Sequence, residues 1–261
     1  MTLTQFDPTR TAIPNAWDVV QPVPGMPEVA VTCFAGATFQ RLLDELGGSE
    51  IARWRCANME SPIYRAEYRG RPFALYLSDV GAPACAALLE DVFAMGVGKV
   101  IVFGTCGVLD GSIADCSVII PNRAVRDEGT SYHYLPASDE MEVNPRYIDV
   151  FTEILERHRC HYTVGKVWTT DGIYRETRER VEAMKRRDCI CVDMECSALS
   201  AVAQFRGREV FQFFYAADNL DGEVWEKRSL ANEARLEEKD RIAALAMELA
   251  LAITGAEGAS K

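Results

Sequence analysis

Three short stretches hold the residues that can do chemistry. In the first, Cys189 to Gln204 reads C-I-C-V-D-M-E-C-S-A-L-S-A-V-A-Q, an apolar run that stops at Asp193 and turns at once into a helical pattern. Asp193 and Glu195 therefore flank Met194 where a buried strand would feed a helix. Carboxylates so placed can accept from both hydroxyls of a vicinal diol through charge-assisted hydrogen bonds, the stronger kind. The same spacing also serves helix capping, with Asp193 as N-cap and Glu195 in the first turn. In the second stretch, Gly104-Thr105-Cys106-Gly107 follows the apolar run K-V-I-V-F. It offers backbone N–H groups and one hydroxyl to an anion or a base edge, or makes a plain tight turn. It is neither a P-loop nor a dinucleotide fingerprint, because no Gly-Lys-Ser/Thr follows and G-x-G-x-x-G is absent. In the third, Asp218 closes F-F-Y-A-A. An aspartate buried there holds its proton more readily and suits a general acid, while Asp218-Asn219 and Asp221-Gly222 are also turn formers.

The elements that must position these residues alternate between strand and helix. Glu28–Phe34 reads as a strand, followed by a helix through Leu42, Leu43 and Leu46 that ends at Gly47-Gly48. Ile63–Tyr68 and Pro72–Ser78 form a hairpin around Arg69-Gly70-Arg71. Pro83 opens a helix over Ala84–Met95, with Ala87, Leu88, Val92 and Met95 on one face. Lys99–Phe103, Cys116–Pro121, His161–Trp168 and Glu209–Tyr215 are further strands, and Pro145–His158 is a helix. Asp127–Asp139 is an irregular loop, and about Arg175 to Arg187 is a charged, solvated helix. Gly207 is expected to end the helix after Glu195. The segment from Glu233 to Thr254 is amphipathic, with Ile242, Leu245, Leu249 and Ile253 on one stripe. This alternation predicts an α/β fold in one domain, a mixed and mostly parallel central sheet with helices on both faces. Ligands in such folds bind beside the carboxyl ends of strands. If the strands before Gly104, Asp193 and Ala217 are parallel neighbours, the three loops after them share one cleft. Residues 1–28, with five prolines, read as an extended arm lying on the body or on a partner subunit.

Composition narrows the partners. With 261 residues, 48% of them hydrophobic, the chain can bury a full core. A formal charge of −11 excludes nucleic acid or an anionic membrane as the main partner. No stretch approaches the ~20 apolar residues that span a bilayer, and no signal pattern opens the chain, so a cytoplasmic location is expected. The nine cysteines are odd in number and irregularly spaced, mostly in apolar runs, which predicts reduced core thiols. Cys189, Cys191 and Cys196 lack the paired C-x-x-C of a structural zinc site, and no metal is expected.

Taken together, F-G-T-C-G (103–107), T-T-D-G-I-Y (169–174), V-D-M-E-C-S-A-L (192–199) and A-A-D-N-L (216–220) resemble the nucleoside phosphorylase family, which includes uridine phosphorylase and the hexameric purine nucleoside phosphorylases. The resemblance runs from about Val29 to Trp225, in order and with matching spacing. It implies a phosphorylase-like catalytic domain over 29–261 that cleaves the N-glycosidic bond of a nucleoside, phosphate attacking C1′ of ribose. It implies that Glu195 binds the ribose 2′ and 3′ hydroxyls, with Asp193 a shortened companion, and that Met194 packs under the sugar. Thr105 would contact phosphate and sugar, Cys106 and Gly107 would border the base, and Ile173 and Tyr174 would lie against it. Asp218 would donate a proton to purine N7, which makes a purine nucleoside the expected substrate. No cofactor is implied beyond phosphate as co-substrate. A homo-oligomer built from dimers, up to a hexamer, is implied as well.

The departures are as specific. The family's Gly-Asp-Pro-x-Arg after the first strand is replaced by C-F-A-G-A-T-F (33–39), and the arginine before the Gly-Thr turn by Val102. A third arginine, lent by a neighbouring subunit, falls near Met59, with Arg53, Arg55 and Arg65 close by. Phosphate binding ordinarily uses the arginine fork, which meets two oxygens at once. Two alternatives therefore stand beside phosphorolysis: a nucleosidase in which water replaces phosphate, and a nucleoside-binding protein without turnover. The uracil-reading Gln-x-Arg appears as Glu176-Thr177-Arg178, which does not favour uridine. The arm supplies no histidine for a partner's ribose; the three are His133, His158 and His161.

Overall fold

The computed structural model describes residues 2–231 and 233–254. The first half runs α1 (Ala16–Val19), β1 (Val29–Cys33), α2 (Gly36–Leu46), β2 (Ser49–Arg55), β3 (Glu60–Tyr68), β4 (Arg71–Leu77), α3 (Ala82–Ala94) and β5 (Lys99–Val108). The second runs β6 (Val118–Asp127), β7 (Glu140–Glu142), α4 (Ile148–Arg157), β8 (Tyr162–Thr170), α5 (Arg178–Lys185), β9 (Cys189–Asp193), α6 (Cys196–Arg206), β10 (Glu209–Asn219) and α7 (Leu236–Ile253). Among the described residues the strands form one mixed sheet, ordered β10-β6-β8-β9-β5-β1-β4-β3-β2, with β7 on β6. Because β10 also pairs with β5, five strands close on themselves, and β1, β4, β3 and β2 extend from β5 as an open wing.

Period-two alternation sorts the core on the two faces of that sheet. Val29, Val31, Ile101, Phe103, Phe211 and Phe213 join α2, α4 and α7 in one cluster. Ala30, Val100, Val102 and Val210 join α3 and α6 in another. Phe103 and Phe213 stack with ring centroids 5.8 Å apart; truncating either to Ala would cost about 3–5 kcal/mol. The arm lies on its own chain: Val23 N–H donates to the Met95 carbonyl at 2.9 Å, and Phe6 meets Phe205 edge-on. Arg206 also donates to the Arg10 carbonyl at 2.7 Å. No helix among the described residues is long and apolar enough to cross a membrane.

Several sequence expectations are corrected. Gly104–Gly107 is not a loop, because β5 continues to Val108, paired with β10 and then with β9. Likewise β10 runs through Ala216 and Ala217 to Asn219. Small residues that look like turn formers stay extended when neighbouring strands take up their backbone groups. β5 and β10 are parallel, but β9 meets β5 antiparallel, Gly107 opposite Val192. The three strand ends still converge, because β9 enters from the opposite direction and stops where β5 passes it. β6 extends to Asp127, carrying Pro121 at a register shift, where a strand tolerates proline. β2 has no counterpart in the sequence reading; it is an edge strand with charged, mostly outward side chains. The expected charged helix is shorter: a 3₁₀ turn at Ile173–Arg175 precedes α5, whose cap is Thr177. Asp127–Asp139 contains a 3₁₀ turn at Ser131–His133.

Candidate active site

The strand β9 ends at Asp193 because its carboxylate is taken over by the helix that follows. Asp193 Oδ2 accepts from the backbone N–H groups of Glu195 and Cys196 at 2.9 and 2.7 Å. Its Oδ1 accepts from the Thr169 hydroxyl at 2.7 Å. Asp193 is thus the capping group of α6, and its oxygens are committed to the protein. The Glu195 side chain makes no cap contact with α6. Instead its Oε1 accepts from the Gly81 N–H at 2.6 Å, in the turn between β4 and α3. Gly81 has φ +97°, a backbone setting that L side chains rarely adopt, and that setting turns its N–H onto the carboxylate. The two carboxylates therefore part: Asp193 caps α6, and Glu195 is turned away from the helix start toward Gly81.

A buried polar chain fixes this corner from behind. The Thr169 hydroxyl also accepts from the Ser197 N–H at 3.2 Å, and the Ser197 hydroxyl donates to Glu128 at 2.8 Å. Glu128 in turn accepts from the Ser131 N–H at 2.9 Å. Burial pushes both Asp193 and Glu195 above the usual carboxylate range, and for Glu195 the Asp193 charge adds to it. The donors on Asp193 oppose its rise. Such a network specifies one geometry only because its members are paired.

Asp218 reaches the site through an irregularity in β10. Ala216 faces Cys106 across the ladder and Asp218 faces Gly107, so Ala217 is an extra, bulged residue. A bulge re-aims the side chains beyond it. Asp218 Oδ1 consequently lies 3.3 Å from where a Cβ on Gly107 would stand, and Leu220 Cδ1 only 2.4 Å from it. No side chain fits at position 107 without moving that wall. Asp218 Oδ2 accepts from the Trp225 indole N–H at 2.8 Å. Burial raises the Asp218 pKa, opposed by the Trp225 hydrogen bond and the charge of Arg228.

All of these surfaces border one cavity of about 730 Å³. Thr105, Cys106, Gly107, Ile173, Tyr174, Asp193, Met194, Glu195 and Asp218 all line it. Thr105, Cys106 and Gly107 come from β5, while Ile173 and Tyr174 come from the 3₁₀ turn and are largely exposed at its mouth. Glu176, Arg178 and Leu220 join them on the wall, and Phe34, Val80 and Trp225, to which no motif assigned a site role, complete it. Phe34 lies against Gly104, its Cδ2 2.7 Å from where a Cβ would be. Arg178 is the one Arg or Lys on the wall among the described residues, and its guanidinium donates to the carbonyls of Leu220, Asp221 and Gly222. Arg53 and Arg55 are paired with Glu50 and Glu60 on β2 and β3 and do not line the cavity. Arg65 donates to the Gly25 carbonyl.

A mixed sheet closed at β5 and β10, with the buried carboxyls of Glu195 and Asp218 on one cavity, is an α/β fold with an acidic pocket. The profile of the Phosphorylase superfamily matches residues 28–255, and the chain belongs to that family. It is 27% identical over 183 residues to a guanosine phosphorylase of Halorubrum lacusprofundi, covering 69% of this chain and 73% of that one. It is 24% identical over 164 residues to a DeoD-type purine nucleoside phosphorylase of Bacillus cereus, covering 60% and 68%. The crystal structure of uridine phosphorylase from Vibrio fischeri superposes with a TM-score of 0.75 at 20% identity, over 90% of this chain and 99% of that one. That likeness places the fold.

Proposed function

We propose that the chain is a nucleoside phosphorylase, a pentosyltransferase acting on a purine nucleoside with phosphate as the attacking group. The observation that carries the proposal is the placement of Glu195 and Asp218 on one cavity, the first a buried carboxyl held at its rim by the Gly81 N–H and the second buried enough to keep a proton. Glu195 holds the ribose 2′ and 3′ hydroxyls, Met194 supports the sugar, and Thr105 lies where the nucleophile approaches C1′. As the glycosidic bond breaks, positive charge builds on the sugar and negative charge on the departing base. Asp218 protonates the base, and the Trp225 N–H holds its carboxyl in place. Homologues named for guanosine and purine nucleosides support the purine assignment. Base release from purine nucleosides that accelerates when phosphate is added is the expected result; no release from any nucleoside would refute the proposal.

A second reading has its own support. Phe34 and Val80 line the cavity along with Thr105, and the one lining arginine among the described residues is already engaged by carbonyls. An anion finds few donors there, and water would take the place of phosphate. In that case base release would be indifferent to phosphate. We also propose that the protein works as a homo-oligomer built from dimers. Val80, Ile173, Tyr174 and Trp225 stand exposed around the cavity mouth, where a partner subunit would cover them. Light scattering that returned the mass of a single chain would exclude this.

A further inference from the structure

The cavity carries a second carboxyl beside Asp218 that has no partner among the described residues. Glu176 lies between the 3₁₀ turn Ile173–Arg175 and the cap residue Thr177, and its side chain lines the cavity. Among the described residues nothing hydrogen-bonds to its carboxyl or forms an ion pair with it, although it is only partly exposed. The charged groups around it come from several elements. Asp218 on β10 faces it, Glu223 adds a further carboxylate from the segment after β10, and Asp193 and Glu195 line the same cavity. Arg175 precedes it in the chain but forms no ion pair with it, and the guanidinium of Arg178, two residues on, is spent on three carbonyls. Burial, and then the charge of Asp218, push Glu176 up to about 7. A carboxyl so placed, with no protein donor spent on it, is open to the donors of a ligand in the cavity.

Resting on the nucleoside reading above, we propose that Glu176 is the specificity-determining residue for the base, selecting a 2-amino-6-oxopurine. Such a base presents two adjacent donors, the ring N1–H and the 2-amino group, at the spacing of a carboxylate's two oxygens, and the pair is charge-assisted. A pyrimidine-2,4-dione presents one N–H between two carbonyls, so one carboxylate oxygen would face a carbonyl and be repelled. A 6-aminopurine presents a donor beside an acceptor and matches the carboxyl only when it is protonated. Asp218 is then left for the leaving-group proton, and the two carboxyls divide the work: Glu176 reads the edge of the base, and Asp218 acts on its departure.

The test compares kcat/KM for guanosine, adenosine and uridine in the wild type, E176Q and E176D, with calorimetric binding of free guanine and free uracil. Loss of a charge-assisted pair is expected to lower guanosine turnover about 10–100-fold in E176Q, with adenosine changed by no more than about threefold. E176D, which keeps the charge one methylene short, is expected to fall between. Unchanged guanosine-to-uridine selectivity in E176Q, or a wild type that prefers uridine, would overturn the inference while leaving nucleoside cleavage intact. A wild type that binds guanine through Glu176 but cleaves no nucleoside would uphold base selection and refute the catalytic reading. Neither binding nor cleavage would overturn both. Equal unfolding temperatures for the three proteins would show that the change lies in recognition, and a shared drop in binding of guanine and uracil alike would count against base selection.

Discussion

Replacing Asp218 by Asn isolates the proton that the departing base needs. The amide oxygen can still accept from the Trp225 N–H, now 2.8 Å from Asp218 Oδ2, and the residue stays equally buried. The fold should therefore lose no more than about 1 kcal/mol. General acid assistance is worth about 10²–10⁴-fold, or ~3–5 kcal/mol of barrier. kcat and kcat/KM for a purine nucleoside should fall together by that factor, because the interaction belongs to the transition state. The pH profile supplies a second signature. The acid works only when protonated, and burial raises its pKa, so the wild-type rate should decline as pH rises through that raised value. The Asn variant should lose this limb. A 7-methylated purine nucleoside, whose base leaves without taking a proton at N7, should be cleaved by the variant at nearly the wild-type rate. Equal losses on the methylated and ordinary substrates would refute general acid catalysis by Asp218.

Trp225→Phe removes the hydrogen bond that lowers the Asp218 pKa, so the alkaline limb of the rate profile should move to higher pH. Glu195→Gln should raise KM for nucleosides sharply while stabilising the protein at alkaline pH. Burial raises the Glu195 pKa, so its share of stability is present below the ordinary Glu range, near pH 4, and is lost as pH climbs through the raised value. Relief of about 1 kcal/mol would appear as a gain of about 2–4 °C in unfolding temperature above that value. Asp193→Ala should cost about 1–2 kcal/mol as a lost cap and should also lower kcat, because Glu195 is held through the same helix start. Gly107→Ala should destabilise by about 1–3 kcal/mol in denaturant titrations, since its Cβ would fall 2.4 Å from Leu220 Cδ1.

The strand–helix junction was legible because its chemistry is local: apolar run, carboxylate pair and helical pattern follow one another within eleven residues of chain. Asp193 and Glu195 could not be told apart there, since both roles use the same spacing; the difference lies in Thr169 and Gly81, 24 and 114 residues away. The continuity of β5 through Gly104–Gly107 was hidden for a related reason. Gly and Thr read as a turn until β10 and β9 occupy their backbone groups. The bulge at Ala217 leaves no mark in composition, yet it aims Asp218. Trp225 and Phe34 carried no periodic signal, and their place on the wall follows from tertiary packing alone. Glu176 was visible as a departure from Gln-x-Arg, but its lack of a protein partner is a property of the folded cavity.

The proposed function requires phosphate to attack the sugar held by Glu195 while Asp218 releases the base. Phosphorus NMR of the wild-type enzyme with guanosine and inorganic phosphate tests it most directly. Stoichiometric conversion of phosphate into ribose 1-phosphate, matched to the guanine released, is the predicted result. Guanine accumulating with free ribose, the phosphate signal unchanged, would contradict it.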